Sequence, residues 1–226
     1  MTEDGWLACT EPHGLLHLLR GKRKSRLFAA ACCRRLFPLL PNWPARGIVE
    51  AAERFADGQI GRRRLRAIWS DYFQQVVPRV GPEGHANVAL VNLMLNYCLI
   101  HRPKRTLMDA AAKAMSASGG PWWDFRQRGK AKAAERAAQC DLLRDLTGNP
   151  FRDNVLEPGW LMWGGGTVVR LAEAIYAERR FRDMPELADA LEEAGCADQD
   201  ILRHCREQGA VHARGCWLLD LLLDKT

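Results

Sequence analysis

The sequence predicts an all-α protein, an irregular multi-helix bundle of about eleven helices. Apolar residues recur at helical spacing through most of the 226 residues, while runs of alternating or β-branched residues are few. Glycine and proline separate the helical segments. With 47% hydrophobic and 8% aromatic residues, the chain has enough apolar content to bury a core.

Helical spacing in the first half of the chain is interrupted at regular points by glycine or proline. Gly21, Gly58 and Pro78 are expected to end helices. The helices predicted here are, in order, one turn near Trp6, Leu15 to Leu19, Arg23 to Leu36, Ala45 to Ala56, Arg62 to Val77, Glu83 to Ile100 and Pro103 to Ala117.

The second half opens with a glycine- and tryptophan-rich segment, Gly119 to Lys130, which predicts a surface loop. Thr167 is predicted to cap a helix, and Asp183 with Glu186 three residues later forms a capping-box pattern. The helices predicted here are Ala131 to Leu146, Thr167 to Arg179, Asp183 to a stop at Gly195, Asp198 to Arg206, and a buried final helix from Ala213 to Asp224.

Charge is distributed unevenly along the chain, although the net charge is only +6. Residues 1–140 contain 23 Lys and Arg against 11 Asp and Glu, whereas residues 141–226 contain 10 against 16. We predict one helical domain, residues 1–226, with a basic lobe at about 1–147 and an acidic lobe at about 164–226 joined by an extended segment. The asymmetry indicates either a surface for an acidic partner or two lobes that attract each other.

Three features of the sequence bear on its location. The longest apolar stretch, Val88 to Ile100, has 13 residues and contains two asparagines, which is too short to span a bilayer. The first residues are acidic and lack an apolar signal region, so we expect a cytoplasmic protein without a membrane partner. The eight scattered cysteines are expected to be mainly core residues in a reducing compartment.

The densest candidate for chemistry lies near the C-terminal end of the sequence. Five potential zinc ligands fall within 21 residues: Cys196, His204, Cys205, His212 and Cys216. On a continuous helix His212 and Cys216 would share a face, but adjacent His204 and Cys205 would point about 100° apart, and no CxxC pair is present. Zinc is the one cofactor that the sequence suggests. The alternative is that these cysteines are buried core thiols and that a histidine caps a helix.

An enzymatic alternative uses Arg206 and His212, whose separation is that of the catalytic pair in HEPN ribonucleases. That similarity implies metal-independent acid–base cleavage of RNA. Gly209 lies between the two residues, where the helix of that family would continue. Phosphate-binding, serine-hydrolase and HExxH metalloprotease signatures are all missing from the sequence.

Basic clusters in the first lobe suggest nucleic acid or an acidic protein as a partner. The residues expected to contact nucleic acid are Arg23, Lys24, Arg26, Arg62, Arg63, Arg64, Arg66, Arg126 and Arg128. Solvated arginine-rich helices would give the same pattern. Because catalytic signatures are missing, the leading functional expectation is a non-enzymatic binding module; no pattern indicates an oligomeric state.

Several motifs at both ends of the chain are specific enough to mark a family. They are WLACTEP and RLFAAACCRRLF near the start, GNPFR after Thr147, LADALEEAGC from Leu187, and HCREQGAVHARGCWLLDLLLDK from His204. In these motifs the chain resembles a family of uncharacterised proteins abundant in planctomycete genomes. The resemblance covers about half of the chain and implies no activity, ligand or catalytic residue.

Overall fold

The computed structural model describes residues 1–35, 37, 45–76, 125–153, 155–207 and 209–225. Every regular element in these ranges is helical, which confirms the all-α prediction. The α-helices are α1 (Glu3–Leu7), α2 (Gly21–Arg35), α3 (Ala45–Ala56), α4 (Arg62–Val76), α5 (Phe125–Thr147), α6 (Pro158–Met162), α7 (Thr167–Glu178), α8 (Met184–Glu193), α9 (Gln199–Arg206) and α10 (Trp217–Leu222). Short 3₁₀ turns occupy Pro12–Gly14, Leu16–Leu18, Trp163–Gly165 and Phe181–Asp183.

The chain divides into two compact units, Met1–Leu143 and Arg144–Thr226. The division falls near the end of α5, so residues 144–147 of that helix belong to the second unit. The helices predicted over 83–100 and 103–117 lie outside the described residues, as do Trp122 and Trp123. No described helix is both long enough and apolar enough to span a bilayer.

In the first unit α2 packs on α3, and α3 on α4. Helix α2 is buried continuously from Leu27 to Cys33. Helix α3 buries Ile48, Val49 and Ala52, a spacing that places them on one face. Gly21 begins α2, contrary to the prediction that it ends a helix, because its φ of 76° turns the chain immediately before the helical residues.

Helix α5 begins at Phe125, six residues before the predicted Ala131. Residues 125–130 are therefore helical, which corrects the prediction of a loop over this part of Gly119 to Lys130. A single glycine, Gly129, lies within the helix, a cost that neighbouring arginine and lysine residues of good helical propensity offset.

The second unit is built around α7, which packs on α6, α8 and α10. One face of α7 is buried through Val168, Ala172, Ile175 and Tyr176, at the i, i+4, i+7 and i+8 positions of an amphipathic helix. Helix α8 packs on α9 and contributes Leu187 and Leu191 to the same core. Ile201 and Leu202 of α9, and Cys216 before α10, pack into this core.

Two predicted helix caps in the second unit are wrong. Asp183 precedes α8, but its carboxylate forms no cap; it forms an ion pair with Arg180 instead, with Oδ2 2.6 Å from Arg180 Nε. The N-cap of α7 is Gly166, and the Thr167 hydroxyl donates to the carbonyl of Gly164 at 2.9 Å. In both places a nearby partner competes successfully for the polar side chain.

Candidate metal centre

Four potential metal ligands meet in the second unit: Asp145, His204, His212 and Cys216. One ligand atom from each lies within 4.8 Å of the other three. Asp145 comes from the last turns of α5 and His204 from α9, whereas His212 and Cys216 come from the segment between α9 and α10. Three of these residues belong to the predicted cluster, and Asp145 joins them from 59 positions before His204 in the sequence.

Local structure explains how the histidines and the thiol converge. The Asp198 carboxylate caps α9 by accepting from the backbone N–H groups of Asp200 at 2.8 Å and Ile201 at 3.3 Å. The helix ends at Arg206, and a tight turn, in which the Cys216 N–H donates to the Ala213 carbonyl at 3.0 Å, precedes α10. Gly215 provides the left-handed residue of this turn with a φ of 90°.

The final helix therefore begins at Trp217, four residues after the predicted Ala213. His212 and Cys216 are not on one helix face, as the spacing argument assumed. They approach each other across the turn instead. The expected burial of the final helix is confirmed for Leu218, Leu219 and Leu222.

Asp145 organises one side of the cluster. Its Oδ1 lies 2.9 Å from His212 Nδ1 and 3.6 Å from His204 Nε2, while its Oδ2 accepts the Ala213 N–H at 2.9 Å. No lysine or arginine among the described residues pairs with this carboxylate. The carboxylate is buried between neutral or weakly basic groups.

Cys216 completes the cluster on the other side. Its Sγ lies 3.1 Å from His204 Nε2. The His204 ring stands nearly perpendicular to the His212 ring, with centroids 4.9 Å apart. The centroid of the Trp217 ring lies 5.1 Å from that of His204. These aromatic contacts hold the imidazole of His204 in place independently of any ion.

Burial keeps His204 and Cys216 in their neutral forms. The Cys216 thiol is fully buried, and the His204 and His212 side chains are only 17% and 6% exposed. Burial lowers the pKa of His204 to about 4, although Asp145 opposes the shift. Burial, with Asp145 adding to it, raises the pKa of Cys216 well above its usual value. His204 is thus in the unprotonated form that binds metals, and Cys216 needs a cation to ionise.

The spacing of these atoms fits a tetrahedral ion. Zinc bonds of about 2.0–2.3 Å at tetrahedral angles place neighbouring ligand atoms about 3.3–3.7 Å apart. The observed separations of 2.9, 3.1 and 3.6 Å are within a few tenths of an ångström of this range, and the other pairs of ligand atoms lie within 4.8 Å of each other. A carboxylate, a thiolate, two neutral imidazoles and a divalent cation also sum to zero charge, which suits a buried site.

The other two predicted ligands, Cys196 and Cys205, are not in the group of four. Both are buried in the core of the second unit. Burial, followed by the influence of Cys196, raises the pKa of Cys205 to about 12. These thiols have the environment of small core residues, the alternative that the sequence left open.

Arg206 and His212, the pair considered for ribonuclease chemistry, have different partners. The Arg206 guanidinium is on the surface and donates to Asp189 and Glu192 of α8, each at 2.6 Å. His212 is buried beside Asp145. Gly209, with a φ of 77°, follows the end of α9, so the two residues do not share a helix.

The predicted nucleic-acid residues lie at the starts of three helices of the first unit. Arg23, Lys24 and Arg26 lie on α2 and are half-buried. The four arginines of α4, Arg62, Arg63, Arg64 and Arg66, are exposed; on α5 Arg126 is exposed and Arg128 is half-buried. These residues were predicted to contact nucleic acid from their charge alone.

Comparison with known proteins adds no assignment: no protein-family model, curated protein or solved structure matches this chain.

Proposed function

We propose that this protein is a zinc-binding helical protein in which one Zn²⁺ ion, held by Asp145, His204, His212 and Cys216, stabilises the second unit. The observation that carries the proposal is the meeting of four ligand atoms of mixed type in a buried cluster whose carboxylate has no described lysine or arginine partner. A cation is the partner that this carboxylate and thiol both need.

The donor set favours zinc over other common ions. Calcium and magnesium prefer six or more oxygen ligands, and this cluster offers one carboxylate among nitrogen and sulfur donors. Copper(I) favours sites richer in sulfur. Mixed imidazole, thiolate and carboxylate ligands in a tetrahedron are typical of zinc.

The site is closed, which favours a structural ion over a catalytic one. A catalytic zinc keeps one position open to water and substrate, whereas here four protein ligands are available and Cys216 is fully buried. The ion would connect the end of α5, the end of α9 and the start of α10. Such a cross-link stabilises a small unit.

A nucleophilic role for Cys216 is less well supported. The thiol–imidazole contact of 3.1 Å resembles a Cys–His pair, but an orienting carboxylate should bind the second nitrogen of the histidine. Here Asp145 approaches the same nitrogen of His204 as the thiol does. The burial of Cys216 also keeps it away from substrate.

Metal content tests the proposal directly. Protein purified without a His-tag from zinc-supplemented medium should contain about one equivalent of zinc by elemental analysis. The variant Cys216→Ser should lose it. Cys205→Ser is the matched control, since it also removes a buried thiol of the same core but leaves the four ligands in place, and it should retain zinc.

Two results would contradict the proposal. One is a wild-type protein that remains metal-free after zinc addition and dialysis. The other is equal zinc content in the Cys216→Ser and Cys205→Ser proteins, which would show that the bound metal lies elsewhere.

A further inference from the structure

The first unit has a strongly basic surface that the zinc proposal does not use. We define the basic end as residues 20–26 and 54–66, which contain ten lysine and arginine residues and a single acid, Asp57. We propose that the basic end binds the phosphate backbone of nucleic acid.

Contacts between helices show that the two segments form one surface. Arg23 of α2 donates to Asp57 at 2.9 Å, and the Arg26 guanidinium lies over the Phe55 ring, 4.4 Å from its centroid. Arg62 lies close enough to Arg26 that its charge, after burial, helps to lower the pKa of Arg26. The start of α2 therefore packs against the end of α3, and Arg62 at the start of α4 lies near enough to Arg26 for their charges to interact.

The arrangement is unfavourable for the protein alone. Arg23 pairs with the one acid of this surface, and the four arginines of α4 have no carboxylate partner among the described residues, so their positive charges repel one another. Neither α2 nor α4 has an acidic residue in its first turn, where a carboxylate would be stabilising and where positive charge opposes the helix dipole. A bound polyanion would relieve both effects.

The exposed arginines of α4 are placed for an extended anion. Arg62 and Arg66 are four residues apart and share a helix face, while Arg63 and Arg64 project about 100° and 200° away from Arg62. Leu65 fills the remaining direction and is buried. None of the four arginines has a carboxylate partner within the described part of the chain.

This arrangement of arginines favours nucleic acid over an acidic protein. Nucleic acid presents negative charge at a constant density of about one per 1.7 Å of duplex axis. Arginines that project in several directions from one helix therefore meet phosphates wherever along the nucleic acid the protein binds. Guanidinium groups also bind phosphate oxygens through two parallel hydrogen bonds. An acidic protein would need carboxylates at positions that match these particular arginines.

Binding of fluorescently labelled single-stranded RNA and double-stranded DNA, measured by anisotropy over a series of salt concentrations, tests the inference. The full-length wild-type protein should bind at least one of them, with affinity that falls as salt rises. The double variant Arg62→Gln/Arg66→Gln should bind about tenfold more weakly at low salt, with a salt slope smaller by about 1.5. Comparing the two probes distinguishes single-stranded from duplex nucleic acid.

The matched control is Arg182→Gln/Arg203→Gln, which removes the same charge from exposed positions of the second unit, 86% and 70% exposed. It should change affinity less than twofold. Absence of binding by the wild type at low salt, or equal weakening by both double variants, would overturn the inference. So would binding of polyglutamate at least as tight as that of nucleic acid. Zinc content is measured on the same proteins and should be unchanged, so this test is separate from that of the metal site.

Discussion

Buried carboxylates are neutralised differently in the two units. In the first unit, Glu53 accepts from Arg34 at 2.7 Å, and Glu135 accepts from Arg35 at 3.0 Å. In the second unit, Asp145 is equally buried but faces two histidines, a thiol and one backbone N–H. The first arrangement is complete within the protein, whereas the second lacks a strong positive charge. Stability of the second unit should therefore depend on a metal ion, and that of the arginine–glutamate pairs should not.

Removing zinc should have the largest effect. A ligand present at 1,000 times its dissociation constant stabilises the folded state by about 4 kcal/mol. Chelation of the zinc-loaded protein should lower the free energy of unfolding by roughly this amount, measured by thermal or urea unfolding with and without a chelator. The Asp145→Asn protein should show no such dependence on the chelator. A wild-type unfolding curve unaffected by chelation would contradict the metal-dependent half of the comparison.

The substitution Glu53→Gln tests the other half. It removes the negative partner of Arg34, whose side chain is only 20% exposed, and should lower the free energy of unfolding by about 3 kcal/mol. The decrease should be the same in zinc and in chelator, as measured by urea unfolding under both conditions. A decrease found only with zinc present would contradict the metal-independent half of the comparison.

Acid should destabilise the metal-free protein. The pKa of His204 is lowered to about 4 in the folded state, so between pH 6.5 and 4 the unfolded chain binds more protons than the folded one. Stability should therefore fall as pH drops from about 7 to about 4, by about 2–3 kcal/mol. Urea unfolding of the chelated protein across this range measures it. The His204→Gln protein should lack this part of the pH dependence; the same profile in both proteins would assign it to other groups.

The smallest effect is expected for Arg206→Gln. This arginine is exposed, and its ion pairs with Asp189 and Glu192 are on the surface, so zinc content should be unchanged and the unfolding midpoint nearly so. His212→Ala should instead lose zinc. If both substitutions abolished a cleavage of labelled RNA by the wild-type protein, the ribonuclease interpretation would replace the metal site.

The fold class was predictable because helical periodicity and glycine or proline breaks are local signals. A helix from about Asp198 to Arg206 was predicted for the same reason, and α9 begins at Gln199 directly after its cap, Asp198. The failed cap at Asp183 and the late start of α10 depend on competing side chains and on a turn at Gly215, which periodicity does not detect.

The candidate site was predictable only in part. His204, His212 and Cys216 were found from their density along the sequence. Asp145 lies 59 positions before His204 and was not among the predicted ligands, yet one signal pointed to it: it lies three residues after Leu142 and one before Leu146, on the apolar face of α5. An acid in that position has to find a partner in the protein interior.

The most direct test of the proposed metal centre is the absorption spectrum of the protein loaded with Co²⁺ in place of zinc. Ligation by Cys216 in a tetrahedral site predicts intense visible d–d bands together with a sulfur-to-cobalt charge-transfer band. The Cys216→Ser protein should lose the charge-transfer band, and Cys205→Ser should keep it. Weak bands typical of octahedral cobalt in the wild type, or a charge-transfer band that survives Cys216→Ser, would contradict the proposed metal centre.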